Sequence, residues 1–489
     1  MKHQQRPQNP GDIELEDLNQ DNENNRIEQN NKSPLLEEGA PPVAEEETNL
    51  DKSKSNLPKI IGGLIIFGLI ILGLVLYFKK DNQIRTVIGI NFGSLNSGYY
   101  IIKDKNISLG SYNMNYSDII LDEYGLKGLE IGYRAHIHSK NDLEKEKRIY
   151  FSNIKRYLVS DERIDEKIIF SDAPKEKIVN LSIIVEEYLN LLKENIKKNE
   201  RIKNSQSIKW VITIPSIWTE VNINIMKEIL EDLEMDNYEI ISEADASSVG
   251  IFYEKNIKQA LTKNKVYMLI NLDLFNIDIN INKVIDTKKN KTQKLRPSLS
   301  YNSNINRSYS INEEIIDILE HAFGYKDIQD KINNDYDIWQ KTLDDIEYKK
   351  LLINENMVEE LDILTEFSKM NGKYLLEDNW PVDYRKYKIN LSKGKVSIPL
   401  RLLKDIIHSY CKKVIQEIDN LIGKLKQKVN IIIIGGEFSK SKILQDNINR
   451  SYSKSHKVLY LDDIEKTIMK GSAIYGLKNK KKLYSHKFI

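Results

Sequence analysis

Four short segments of this chain end an apolar, strand-like run on residues able to hold an anion or move a proton. VIGINFGSLNSGYYII (87–102) reads as strand, tight turn, strand, with Gly93 and Ser94 at its tip. Backbone N–H groups in such a turn can face a phosphate, and the plain alternative is an ordinary β-hairpin. KWVITIPSIWTEVNINIMKEIL (209–230) reads as a strand, a proline turn and a helix starting near Thr219, with Glu220 in its first turn. YEIISEADASSVGIFYE (238–254) puts Glu243 in an acidic turn between a strand and a small-residue helix. IIIIGGEFSKSKILQDNI (431–448) turns from strand to helix at Gly435 and Gly436. Near the C-terminus, MKGSAIYGL (469–477) reads as a helix whose small residues let another backbone approach. Each segment is weak alone; their order and spacing form the pattern.

Composition removes several other chemistries. Of 489 residues, 73 are Lys or Arg and 72 are Asp or Glu, a net charge of +1. Without a basic stripe there is no footprint for nucleic acid. Cys411 is the only cysteine, so neither an intrachain disulfide nor a thiolate metal site can form. Seven histidines are scattered, and the nearest pair, His136 and His138, has no accompanying ligand cluster. No metal ligands are assigned.

The elements that must position these segments alternate. Apolar runs at 87–93, 99–103, 210–215, 266–272, 277–281 and 431–436 read as strands. Between them, 179–198 carries Ile183, Ile184, Tyr188, Leu191 and Leu192 on one helical face. The stretch 400–425 does the same with Leu402, Leu403, Ile406, Ile407, Cys411, Val414 and Ile418. Strands alternating with helices predict an α/β fold. The Asn-, Lys- and Ser-rich stretch 286–310 reads as a long exposed loop, and no repeat of solenoid period is present.

Ahead of the globular part, residues 1–57 are polar and acidic and read as a disordered tail. KIIGGLIIFGLIILGLVLYFKK (59–80) then forms an apolar run bracketed by lysines, without a charged residue from 60 to 78. As a helix that run spans about 30 Å, the thickness of a bilayer's hydrocarbon. Its glycines suit a membrane span, and its distance from the N-terminus and length argue against a cleaved signal peptide. Residues 58–78 are therefore expected to cross a lipid bilayer once, with 79–86 as a linker.

The ordered segments resemble the nucleotide-binding core of the actin-like ATPase superfamily. The resemblance is to the 70-kDa heat-shock protein family, and within it to the divergent 12A/12B-type branch. VIGINFGSLNSGYYI is similar to the first phosphate loop, ITIPSIWTE and ISEADASSVGIFY to the next two motifs, IIIIGGEFSKSKILQ to the adenosine loop and MKGSAIYGL to the closing helix. NIKRYL (153–158) is similar to the segment bearing the family's active-site lysine, at Lys155. IEYKK (346–350) faintly matches the purine- and ribose-contacting helix, through Glu347 and Lys350.

The resemblance implies a bilobal, ribonuclease H-like fold, with a first lobe over 87–270, a second over 271–477 that returns to the first, and a basic tail at 478–489. It implies ATP or ADP as ligand, held by Gly89, Asn91, Gly93, Ser94, Asn271, Asp278, Glu347, Lys350, Gly435 and Gly436. Lys155 and Glu243 stand at its catalytic positions, where an ion pair across the cleft is the competing role. Gly435 and Gly436 serve strand-to-helix geometry equally well.

Departures from the family pattern cluster at the phosphate end. The second phosphate loop, glycine-rich in the family, is here Asn271-Leu272-Asp273-Leu274-Phe275-Asn276-Ile277-Asp278. Only glycine lets that backbone come within reach of a phosphate, so Leu274 and Phe275 should obstruct it and Asp273 repel it. The two carboxylates that organise magnesium in the family are amides here, Asn91 and Asn271, which removes the local countercharge for the ion. The expectation is a membrane-anchored binding or scaffold protein, a pseudo-ATPase with an unidentified protein partner. A weak ATP-hydrolysing, chaperone-like protein is the alternative. The short stretch after Leu477 leaves no room for a peptide-binding domain. The nucleotide-type domain and lone cysteine favour a cytosolic C-terminal part, while sequons such as Asn106-Ile-Ser leave a lumenal one open.

Overall fold

Ile431–Gly435, apolar at nearly every position, needs cover on both faces, and it is an inner strand of a sheet with buried residues throughout. The computed structural model describes residues 65–72, 86–93, 96–104, 106–107, 110–138, 140–158, 163–172, 177–202, 207–272, 276–296, 299–302, 311–323, 336–357, 361–363, 390–392 and 395–478. Among them the chain is mixed α/β with several sheets. The expected tail at 1–57, the linker at 79–85 and the residues after Lys478 lie outside the described residues.

Two large sheets share one plan. In the first, Thr86–Asn91, Asn96–Lys103 and Ser111–Tyr116 form an antiparallel meander. Ile208–Ile214 then joins Thr86–Asn91 in parallel, and Tyr238–Ser242 joins Ile208–Ile214 in parallel. In the second, Val266–Leu272, Asn276–Asp286 and Lys291–Lys294 form the meander. Ile431–Gly435 and Lys457–Tyr460 are added in parallel on the other side. Helices fill the crossovers, as parallel strands require.

The stretch read as a loop at 286–310 is corrected: it holds the strands Lys291–Lys294 and Leu299–Asn302, the latter paired with Asn276–Ile279. Lys291–Lys294 is an exposed, polar edge strand, which has no apolar alternation to betray it.

Each sheet has a core on its outer face, and the two share one between them. Ile88 and Ile90 belong to the first sheet's outer core, whereas Val87 faces the shared one with Val211, Leu269 and Ile433. Leu181–Asn199 starts at Asn180, whose side chain accepts from the Ser182 amide, and buries Leu181, Ile184, Val185, Tyr188, Leu189, Leu192 and Ile196. Ile183 and Leu191, expected on that stripe, lie at its half-buried margin. Leu400–Gly423 buries every residue expected of it from Leu402 to Ile418.

Residues 65–72 are helical with exposed side chains, Phe67 at 61%. No helix among the described residues is long and apolar enough to cross a membrane. The rest of the apolar run at 58–78 lies outside them.

Candidate functional site between the two sheets

Alternation in Thr86–Asn91 sends Val87, Gly89 and Asn91 to one face, where the helix Ile464–Lys478 crosses the strand. Each contact explains a residue type. A Cβ built on Gly89 would lie 2.1 Å from Ser472 Oγ and 2.5 Å from the Ala473 amide nitrogen, so only glycine fits there. Farther along, Gly476 meets Val87 and Val211. At the other end Asn91 meets Glu465, in the helix's first turn.

Asn91 is 1% exposed and bonded on both sides of its amide. Thr213 Oγ1 donates to Asn91 Oδ1 at 2.5 Å, and Asn91 Nδ2 donates to Glu465 Oε2. Glu465 also lies close to Gly93. A Cβ on Gly93 would fall 1.8 Å from Asn96 O and 2.7 Å from Glu465 Oε2. The Gly93 carbonyl accepts from Ser117 Oγ at 2.8 Å. Gly93 is thus hemmed in by protein groups on its Cα side.

The second sheet repeats this arrangement against the helix Glu243–Gly250. Glu243 is the helix's first residue rather than part of a turn, because Ser242 caps the helix by accepting from the Asp245 amide at 3.1 Å. Asn271 and Asp278 face each other across the hairpin. With Glu243, Ala244, Ser247, Leu269, Asn280 and Ile468 they line a partly open pocket of about 10 Å³, room for about one water. Asn280 Nδ2 donates to Ala244 O and Ser248 Oγ, both at 2.8 Å. Asn271 Oδ1 and Asn280 Oδ1 have no hydrogen-bond partner among the described residues, which suits a polar occupant of that size. Tyr267, buried on that sheet's first strand, has its phenol pushed far above the ordinary range by loss of solvent.

Asn91 and Glu465 are hydrogen-bonded across the first sheet and its helix, and Asn271 and Glu243 line one pocket from comparable places, an amide near the end of the second sheet's first strand and a carboxylate opening the helix Glu243–Gly250. The two helices also cross each other. Gly250 would put a Cβ 2.1 Å from Thr467 O, and Gly471 would put one 1.9 Å from Ala246 O.

Of the residues singled out in the sequence, Gly89, Asn91 and Gly93 gather along the last helix, and Glu243, Asn271 and Asp278 around the small cavity. Gly435 pairs with Asn271, and Gly436 turns at φ 96° against the Leu272 carbonyl, so both glycines have a packing role. Lys350 lies elsewhere: it is 5% exposed and donates to Asn312 Oδ1 at 2.8 Å, beside a separate apolar cavity lined by Ile311, Ile315 and Leu403. Lys155 and Glu347 sit on the helices Lys155–Leu158 and Tyr336–Leu352. Their side chains lie outside the described residues, as do Ser94 and the residues Asp273, Leu274 and Phe275, expected from the sequence to obstruct a phosphate.

Glu465, Thr213 and Asn280 were not singled out. For Glu465 a signal existed: residues 465, 472 and 476 recur at helical spacing on the face already marked by small residues.

Asp118, 1% exposed and just ahead of the strand Ile119–Leu121, forms a second polar centre. Its carboxylate accepts from Tyr150 OH at 2.7 Å and the Asn153 amide at 2.9 Å, and lies 2.7 Å from His136 Nδ1. His138 turns instead to Glu130, at 3.2 Å. Among the described residues no group of His, Cys, Asp and Glu is arranged to hold a metal ion.

No protein-family model matches this chain, and no curated protein matches it.

Proposed function

We propose that this chain is a membrane-tethered protein of the actin-like ATPase fold, of the heat-shock-70 12A/12B type, whose cleft serves binding or scaffolding rather than efficient hydrolysis. The observation that carries the reading is the duplicated sheet plan, a meander plus two parallel strands in each half. A bilobal, ribonuclease H-like ATPase core has this organisation.

Loss of turnover is supported by the chemistry between the sheets. Hydrolysis of a nucleoside triphosphate is mostly positioning and charge neutralisation by a magnesium ion. Here Asn91 gives its amide to a carboxylate of the protein, and the cavity beside Asn271 has the volume of about one water. Glu243 and Asp278 remain as carboxylates at that cavity, the feature that favours a residual ATPase as second reading. The tether is supported by the uncharged run at 60–78.

Two measurements test this. ATP and ADP titrated with magnesium into the full chain in nanodiscs should yield no phosphate release above background. Steady turnover abolished by Lys155→Ala would overturn the scaffold reading in favour of the enzyme. Alkaline extraction of membranes should leave the chain in the pellet, and its release into the supernatant would remove the tether.

A further inference from the structure

We propose that Asp118 and His136 form a pH-sensitive latch that holds the short helix Tyr133–His136 against the strands Ser111–Tyr116 and Ile119–Leu121. The inference stands on the polar centre at Asp118 and is independent of any nucleotide chemistry.

The helix has little intrinsic hold. It is four residues long, and its cap residue Gly132 offers no side-chain hydrogen bond. A helix so short does not persist on its own in water. Tyr133 and Ile137 are exposed, and Ala135 alone is buried, against Ile120, Leu143 and Tyr150. Contacts to the neighbouring strands fasten the rest. The Tyr133 amide donates to Asn115 Oδ1 at 2.6 Å. The His136 ring stacks on Tyr116, with centroids 4.0 Å apart and planes 3° from parallel. His136 Nδ1 lies 2.7 Å from Asp118 Oδ2. An ionised carboxylate only accepts, so Nδ1 carries a proton and the imidazole titrates at Nε2.

The surroundings favour the charged ring. Tyr150 OH reaches the same Asp118 oxygen and the Asn153 amide reaches the other, and neither donor is a cation. An imidazolium therefore sets a positive charge beside a carboxylate that is 1% exposed, where Coulombic attraction is strong. The side chain of His136 is 17% exposed, enough for water to exchange its proton. Among the described residues, the other titratable groups around it are Tyr116 and Tyr150. Glu130 is turned to His138 at 3.2 Å and to Arg148 at 3.7 Å, and Arg134 on the same helix is exposed. A folded-state value above the unfolded one, about 6.5, means the latch is whole below that pH. It is lost as pH rises through the raised value. The helix then opens and bares the face under Ala135 beside the already exposed Tyr133 and Ile137.

The test is hydrogen exchange, read by mass spectrometry on the full chain in nanodiscs between about pH 5.5 and pH 9, with rates corrected for intrinsic exchange. Protection of the amides at 133–138 should fall about tenfold or more across that range, with its midpoint above the ordinary histidine value. His136→Gln should flatten the profile, and His138→Gln should preserve it. Asp118→Asn should flatten it too, and His136→Gln serves alone if that buried change prevents folding. A contact of structural value only would lower protection in the variants and leave no pH dependence in wild type to remove. A flat wild-type profile, one that survives His136→Gln, or one that His138→Gln abolishes would overturn the latch.

Discussion

Gly471 passes so close to Ala246 that a single added carbon would lie 1.9 Å from the Ala246 carbonyl oxygen. The contact has a counterpart in Gly250 against Thr467, and together they set the crossing of the two helices that carry Glu465 and Glu243. Gly471→Ala must therefore push the helices apart. We expect a loss of about 1–3 kcal/mol, the usual cost of overpacking. Urea denaturation checks this, and Gly423→Ala is the control, since nothing lies within 4 Å of that glycine.

Gly436 makes a different demand. Its φ of 96° is left-handed, and a Cβ would lie 2.1 Å from Leu272 O. Backbone strain and a clash with a carbonyl act together, so Gly436→Ala should cost at least about 1–3 kcal/mol. The loss should fall in the second sheet, where Leu272 and Asn271 neighbour this turn. Hydrogen exchange should show faster opening of Val266–Leu272 and Ile431–Gly435 than of Thr86–Asn91.

Cys411 is 0% exposed in the helix Leu400–Gly423, and burial pushes its thiol up to about 12. A folded value above the unfolded one means that the fold favours the neutral thiol. Its contribution is whole below the ordinary thiol value near 9 and is lost as pH rises from there toward 12. Native protein at pH 8 should resist a disulfide reagent that titrates the same cysteine fully in denaturant. Rapid native labelling would show that this helix does not stay packed.

Helical stripes and unbroken apolar strands were legible because burial imposes a period on the sequence, as from Leu402 to Ile418 and from Ile431 to Ile434. The close backbone approach at the small residues of 469–477 was legible too, since Gly471 lies against Ala246 and Gly476 against Val211. The duplicated sheet plan was not, since the two halves share a geometry and not a sequence. Lys291–Lys294 escaped as a polar edge. The helical spacing of residues 465, 472 and 476 marks a face for Glu465, but its contact with Asn91 escaped because the two lie 374 residues apart.

Restoring a carboxylate at position 91 should reveal what the amide replaced. In Asn91→Asp, Glu465 would lose the Asn91 N–H and gain a buried carboxylate beside it. Two carboxylates sharing a site keep one proton or recruit a cation. The shared proton raises one carboxyl above its unfolded value, so the variant's stability should be fullest in acid and fall as pH rises through the raised value. At pH 8 without divalent cations the loss should approach about 3–5 kcal/mol, the cost of an uncompensated buried charge. Magnesium, which takes carboxylate oxygens, should recover part of it by binding only the folded state. Thermal unfolding of wild type and variant at pH 5 and pH 8, with and without magnesium, measures all of this. Wild type should ignore magnesium throughout. A variant equally indifferent to magnesium and pH would mean that Asn91 and Glu465 do not share one buried site.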